Sequence, residues 1–170
     1  MKAVVVYESV WGNTAAVARA IAEGIGPEAR AVTTDAATPE LLAAAELVVA
    51  GAPVMGFSLP TDQMRDNVAR SETGGPPPDL AHPSLRSWLE SLPAADGRPS
   101  AAFETRIWWS PRGATGDIEE RLRRAGYRIA SRAHKFVVKD KYGPLREGEV
   151  ERARAWGRSL AEALTPAAVD

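Results

Sequence analysis

The chain has 170 residues, 45% of them apolar, and no cysteine. That is enough for a buried core in one domain, expected over residues 1–170, and it excludes disulfides, thiolate metal sites and thiol catalysis. The net charge of −1 argues against general nucleic-acid affinity, and with no apolar run near the roughly 20 residues of a membrane span and a run at 3–6 too short for a secretory leader, a cytoplasmic protein is expected.

Strand-like and helix-like segments alternate along the chain. The continuous β-branched run 3–7, AVVVY, predicts a strand covered on both faces. Val17, Ala18, Ile21, Ala22 and Ile25 then recur at helical spacing over 14–25. A short strand over 29–34 follows, and then a helix with Thr38 as its N-cap and Pro39 in its first turn. Residues 45–53 predict the third strand. After it come some thirty residues that hold a short helix near 61–70 and the stretch SETGGPPPDLAHP (71–83). Three prolines after two glycines cannot continue a helix or strand, so this stretch is expected as an exposed loop. A helix over 84–92 precedes the fourth strand, 99–107, with Pro99 at its entrance. The remaining elements are a helix over about 114–125, one long strand over 127–138 and a final helix over about 147–164. Such alternation implies an α/β fold: a doubly wound, five-stranded parallel sheet with helices on both faces.

Charge is unevenly spread: residues 1–80 carry 5 basic and 10 acidic side chains, residues 81–170 carry 16 and 12. Arg121, Arg123 and Arg124 fall on one predicted helix. They make either a solvated helix face or a docking patch for an acidic partner.

Ligands of open α/β sheets bind beyond the carboxyl ends of the strands, where strand order reverses. That selects residues 8–14, 53–61 and 105–113, all unusual in composition. In the first, a helix N-terminus with unpaired amides and the positive end of its dipole attracts a phosphate. Ser9 and Thr14 add hydroxyls, Asn13 an amide, and Gly12 allows close backbone approach. A plain helix cap by Ser9 or Asn13 accounts for part of this, but not for a polar run of such length. The run has neither the lysine of a P-loop nor the three glycines of the dinucleotide fingerprint. His82 and His134 show no metal-ligand spacing, and Ser58 lacks the G-x-S-x-G elbow. No metal site and no catalytic residue are assigned.

The strand followed by S-x-x-G-x-T, with Val5, Val6, Tyr7, Ser9, Gly12 and Thr14 in place, resembles the FMN-phosphate loop of the flavodoxin family. The departure is Trp11, where flavodoxins usually carry a hydroxyl. The resemblance implies noncovalent FMN, with Ser9, Val10, Trp11, Gly12, Asn13 and Thr14 around the phosphate and ribityl chain. It places Pro53, Val54, Met55, Gly56 and Phe57 along the isoalloxazine ring, and Thr105, Arg106, Trp108 and Trp109 in a second ring-contacting loop. Adjacent Trp108 and Trp109 cannot both face inward on an extended chain. The function implied is electron transfer or related redox chemistry, with a redox partner protein or a small aromatic or quinone substrate. Flavodoxin carriers are typically strongly acidic, which −1 is not. The alternative is therefore a flavodoxin-like quinone reductase or protoporphyrinogen-oxidase-type enzyme. A non-redox interaction domain that has lost FMN is the third reading, favoured by Trp11.

Overall fold

The computed structural model describes residues 1–71 and 74–166. In chain order the elements are β1 (Ala3–Tyr7), α1 (Asn13–Ile25), β2 (Ala29–Thr33), α2 (Pro39–Ala44), β3 (Leu47–Pro53), α3 (Asp62–Ser71), α4 (Leu85–Glu90), β4 (Pro99–Ile107), α5 (Thr115–Arg124), β5 (Arg128–Ile129), β6 (His134–Val138) and α6 (Glu149–Leu164). All named strands pair in parallel, in the order β2-β1-β3-β4-β5, with β6 also beside β4. The direction of winding reverses between β1 and β3, so the crevice expected of such sheets lies at their carboxyl ends.

The two helical layers follow from the strand pleat, which sends alternate side chains to opposite faces. Val5, Val49 and Phe103 face α1 and α6, where Val17, Ile21, Trp156 and Leu160 close one core. Val4, Val6 and Val48 face the other layer, packing with Leu42, Leu85, Trp88, Ile118 and Leu122. Helices α1 and α6 approach closely: a Cβ on Gly157 would lie 2.2 Å from the Ile21 carbonyl oxygen, and one on Gly24 would lie 2.0 Å from that of Arg154.

Three expectations need correction. The strand expected over 127–138 is broken. Its first piece pairs with Pro99 and Ser100 and its second with residues 103–107 of β4. Four residues, 130–133, stand opposite two of β4, and the two extra ones keep the inside–outside alternation in phase. Gly12, not Ser9 or Asn13, holds the N-cap position of helix α1, in the left-handed region with φ 93°, although the Ser9 side chain still accepts from the Ala15 amide in the first turn and so caps it from outside. The third strand begins at Leu47, two residues later than expected. Elsewhere Thr38 caps α2 through its side chain, accepting from the Leu41 amide. Of the loop expected over 71–83, Ser71 ends α3, Glu72 and Thr73 lie outside the described residues, and 74–83 has no regular structure.

The arginines of α5 are internally balanced. Arg121 pairs with Asp117 and Glu90, Arg123 with Glu119 and Arg124 with Glu120. This is a solvated helix face rather than an open cationic patch. No helix among the described residues is long and apolar enough to cross a membrane.

Candidate functional site

The loop after β1 is held from several directions. Ser9 Oγ accepts from the amides of Gly12 (3.1 Å) and Ala15 (3.2 Å), which leaves its own proton to donate outward. The Ser9 amide donates to His82 Nε2 at 3.1 Å, and the Val10 carbonyl accepts from Asp79 N at 2.8 Å. Thr14 and Thr105 share a buried hydroxyl–hydroxyl bond of 2.8 Å, tying the loop to β4. Asn13 Nδ2 donates to the Tyr142 carbonyl at 3.1 Å, in the turn after β6. The amides of Val10, Trp11, Asn13 and Thr14 have no acceptor among the described residues. Trp11 Nε1 is likewise buried without a partner among them, its ring set edge-on against Tyr142 at 5.0 Å.

Beneath the loop lies a network across elements far apart in sequence. Fully buried Glu8 accepts from Arg65 Nη1 at 2.6 Å and from the Leu85 amide at 2.9 Å. Arg65, on α3, also donates to the carbonyls of Leu80 and His82. Burial pushes the Glu8 carboxyl above its ordinary range, against the Leu85 amide and the Arg65 guanidinium, which favour its charge. Because Ser9 N–H donates to Nε2, the neutral His82 ring carries its proton on Nδ1, facing Asp79 at 3.8 Å. The network anchors the 74–84 segment and α3 to the end of β1. Nothing local in the sequence marks it, because its partners lie 57 and 77 residues apart.

A cavity of about 400 Å³ opens at these strand ends. Ser9, Val10, Trp11, Asn13 and Thr14 line one end of the set, and Pro53, Val54, Met55, Gly56 and Phe57 another. Thr105 and Trp109 join them from the third loop. The loop after β3 is a tight reversal, with Met55 and Ser58 exchanging both backbone bonds at 3.0 Å. The Val54 amide binds the Thr105 carbonyl at 2.9 Å, coupling the second loop to the third.

Gly12, Arg106 and Trp108 do not line the cavity. For Arg106 the reason is the pleat: Thr105 and Ile107 face the cavity, so the residue between them points to the opposite face. Of the tryptophan pair, Trp109 lines the cavity and meets Phe57 edge-on at 6.0 Å, whereas Trp108 is 68% exposed. Sequence reasoning missed Met64, Asn67 and Val68 of α3, together with Ile107, Ser110, Val138 and Lys141. The 3–4 spacing of Met64 and Val68 was the available signal, obscured by the polar residues around them. Glu104, fully buried beside Gly113, turns its carboxylate to Ala114 N and Thr115 Oγ1 and holds the start of α5; it makes no pair with Arg106.

Comparison with known proteins places this geometry. No protein-family model matches the chain, and no curated protein does. Among solved structures, oxidised Flavodoxin 1 from Bacillus cereus matches with a TM-score of 0.68 at 19% identity, over 97% of this chain and 100% of that one. A flavodoxin from the domain Archaea matches with a TM-score of 0.62 at 23% identity, covering 95% and 97%. The chain has the flavodoxin fold. Rubredoxin oxygen:oxidoreductase from Desulfovibrio gigas shares it over 95% of this chain but only 35% of its own, with a TM-score of 0.59 at 17% identity. Within the flavodoxin fold, this cavity can do two things chemically. Unpaired amides at a helix N-terminus can hold an anion, and the apolar surfaces of Met55, Phe57 and Trp109 can cover a flat molecule.

Proposed function

We propose that the cavity binds FMN noncovalently and that the protein is a redox flavoprotein. The observation that carries this reading is one cavity lined both by Ser9, Val10, Trp11, Asn13 and Thr14, the last four with amides unpaired among the described residues, and by an aromatic, apolar wall. Bound FMN supplies one- or two-electron chemistry, while the protein supplies binding, orientation and tuning. The loop amides, the Ser9 hydroxyl and Thr14 hold the phosphate. Met55, Phe57 and Trp109 cover the ring and exclude water from it.

A flavin reductase acting on a flat aromatic or quinone substrate is favoured over an acidic carrier by two observations. Net charge is −1, and the exposed large hydrophobics among the described residues are Phe57, Trp108 and Trp109, the first and last lining this cavity. Exposed apolar surface of this kind marks a binding face. The test is a titration of FMN fluorescence with purified protein, followed by oxidation of a reduced nicotinamide in the presence of a quinone. Saturable quenching supports the cofactor, and quinone-dependent turnover supports the enzyme. Absence of quenching overturns both and leaves an interaction domain without FMN.

A further inference from the structure

We propose that His82 is a positioning residue of this cavity: its neutral ring holds the Ser9 peptide in place, and a proton on that ring slackens the loop and weakens its hold on an anionic ligand. On the reading above that ligand is FMN. His82 itself does not line the cavity, so it acts on the site only through Ser9.

Segment 79–85 meets the end of β1 in antiparallel order and grips three successive residues. Leu85 N donates to Glu8 Oε1 at 2.9 Å, Ser9 N donates to His82 Nε2 at 3.1 Å, and Asp79 N donates to the Val10 carbonyl at 2.8 Å. The segment is tied down in its turn. Ala81 N closes on Asp79 Oδ1 at 3.1 Å, Thr34 Oγ1 donates to the Pro83 carbonyl at 2.7 Å, and Arg65 donates to the carbonyls of Leu80 and His82. Ser9 is thus fixed at its amide by His82 and at its hydroxyl by Gly12 N and Ala15 N, which joins the ring to the start of α1 through one residue.

The middle bond of the three depends on a type of side chain that changes charge between about pH 5 and 8. A neutral ring accepts at Nε2, whereas an imidazolium carries a proton on both nitrogens and sets two donors face to face at Ser9. The ring is 4% exposed, so water has little room to take over as acceptor. Charged groups surround it: Glu8 at the end of β1, Asp35 after β2, Arg65 on α3, and Asp79 on its own segment, 3.8 Å from Nδ1. Arg19 of α1 shares a hollow with Asp79, and Arg86 of α4 turns away to Asp117 and the carbonyls of Leu59 and Pro60.

The experiment titrates FMN fluorescence at about pH 8 and about pH 5.5 in wild type, His82→Gln and His82→Phe, and follows the His82 ring nitrogens and the Ser9 amide by NMR across that range. Glutamine offers an acceptor that does not titrate; phenylalanine keeps a ring and removes the acceptor. At the higher pH, His82→Gln binds FMN within about threefold of wild type and His82→Phe about tenfold more weakly. On acidification wild type loses about tenfold more affinity than His82→Gln. Protonation of the FMN phosphate and of Glu8 is common to both proteins and drops out of that comparison. The Ser9 amide signal moves with the ring nitrogens through one midpoint. Matching pH profiles in wild type and His82→Gln, undiminished binding by His82→Phe, or a Ser9 amide that ignores the ring overturns the assignment while leaving the cofactor reading intact. Wild type that binds no FMN at either pH overturns the cofactor reading, and the NMR titration then decides the role of His82 by itself.

Discussion

Ser9→Ala separates the structural and the binding roles of one hydroxyl. In the free protein, Ser9 Oγ accepts from two amides, but their surroundings differ. Gly12 is exposed, so water replaces the lost acceptor there; Ala15 is buried, and its N–H is stranded. Leaving a buried donor unsatisfied costs about 1–3 kcal/mol, and loss of a helix-cap oxygen falls in the same range. For a chain of this size that is a drop in Tm of roughly 2–10 °C. Saturating FMN then reads the second role. If the Ser9 proton reaches the phosphate, the variant binds FMN about tenfold more weakly, and the stabilisation by excess ligand falls short of wild type by about 1.4 kcal/mol. The assay is a urea melt of each protein with and without FMN. Equal midpoints without ligand would refute the cap, and equal FMN-induced shifts would refute the contact with phosphate.

Arg65→Met strands the fully buried Glu8 carboxylate, so stability at neutral pH falls by about 3–5 kcal/mol. The added change Glu8→Gln recovers part of it, and a loss of unfolding free energy below about 1 kcal/mol in urea melts contradicts the network. Gly157→Ala tests the α1–α6 contact. Helix propensity alone favours alanine by about 1 kcal/mol, but the Cβ would sit 2.2 Å from Ile21 O, and overpacking of about 1–3 kcal/mol makes the variant less stable. A stabilised variant means the helices are farther apart than described. Burial opposes ionisation of Glu149, but Arg152 and the Val137 amide outweigh it and hold the carboxyl below its ordinary range. A depressed carboxylate contributes stability above its unfolded pKa and loses it as pH falls through the folded one. Glu149→Gln is therefore less stable than wild type near neutrality, and the gap narrows in acid. A gap that does not change with pH argues against the charge.

The sheet and its helices were legible because each element carries a local signature. The β-branched run 3–7, the helical spacing of Val17, Ile21 and Ile25, and the Thr38–Pro39 start all report backbone preference within a few residues. The polar loop after β1 was legible for the same reason: its hydroxyls and glycine sit on contiguous chain. What failed was information that only pairing creates. The gap after Ile129 has no glycine or proline to announce it, and becomes visible only as a register step against β4. The burial of Arg65 depends on Glu8, which sits on a strand end remote in sequence. Arg106 was within reach, because strand alternation already forbids it from sharing a direction with Thr105. Lys141 was not, because the turn after β6 meets the loop after β1 only through contacts such as Asn13 with Tyr142, 129 residues apart in sequence.

The register step in the fifth strand divides mechanical duties at that edge. Each half is zipped to β4 by its own ladder, so neither relies on the chain between them for alignment. The joint therefore behaves as slack: a short peptide grafted between Ser131 and Arg132 should leave both ladders seated and the far rim of the molecule undisturbed. That makes it the natural handle for attaching a label, an electrode tether or a fusion partner.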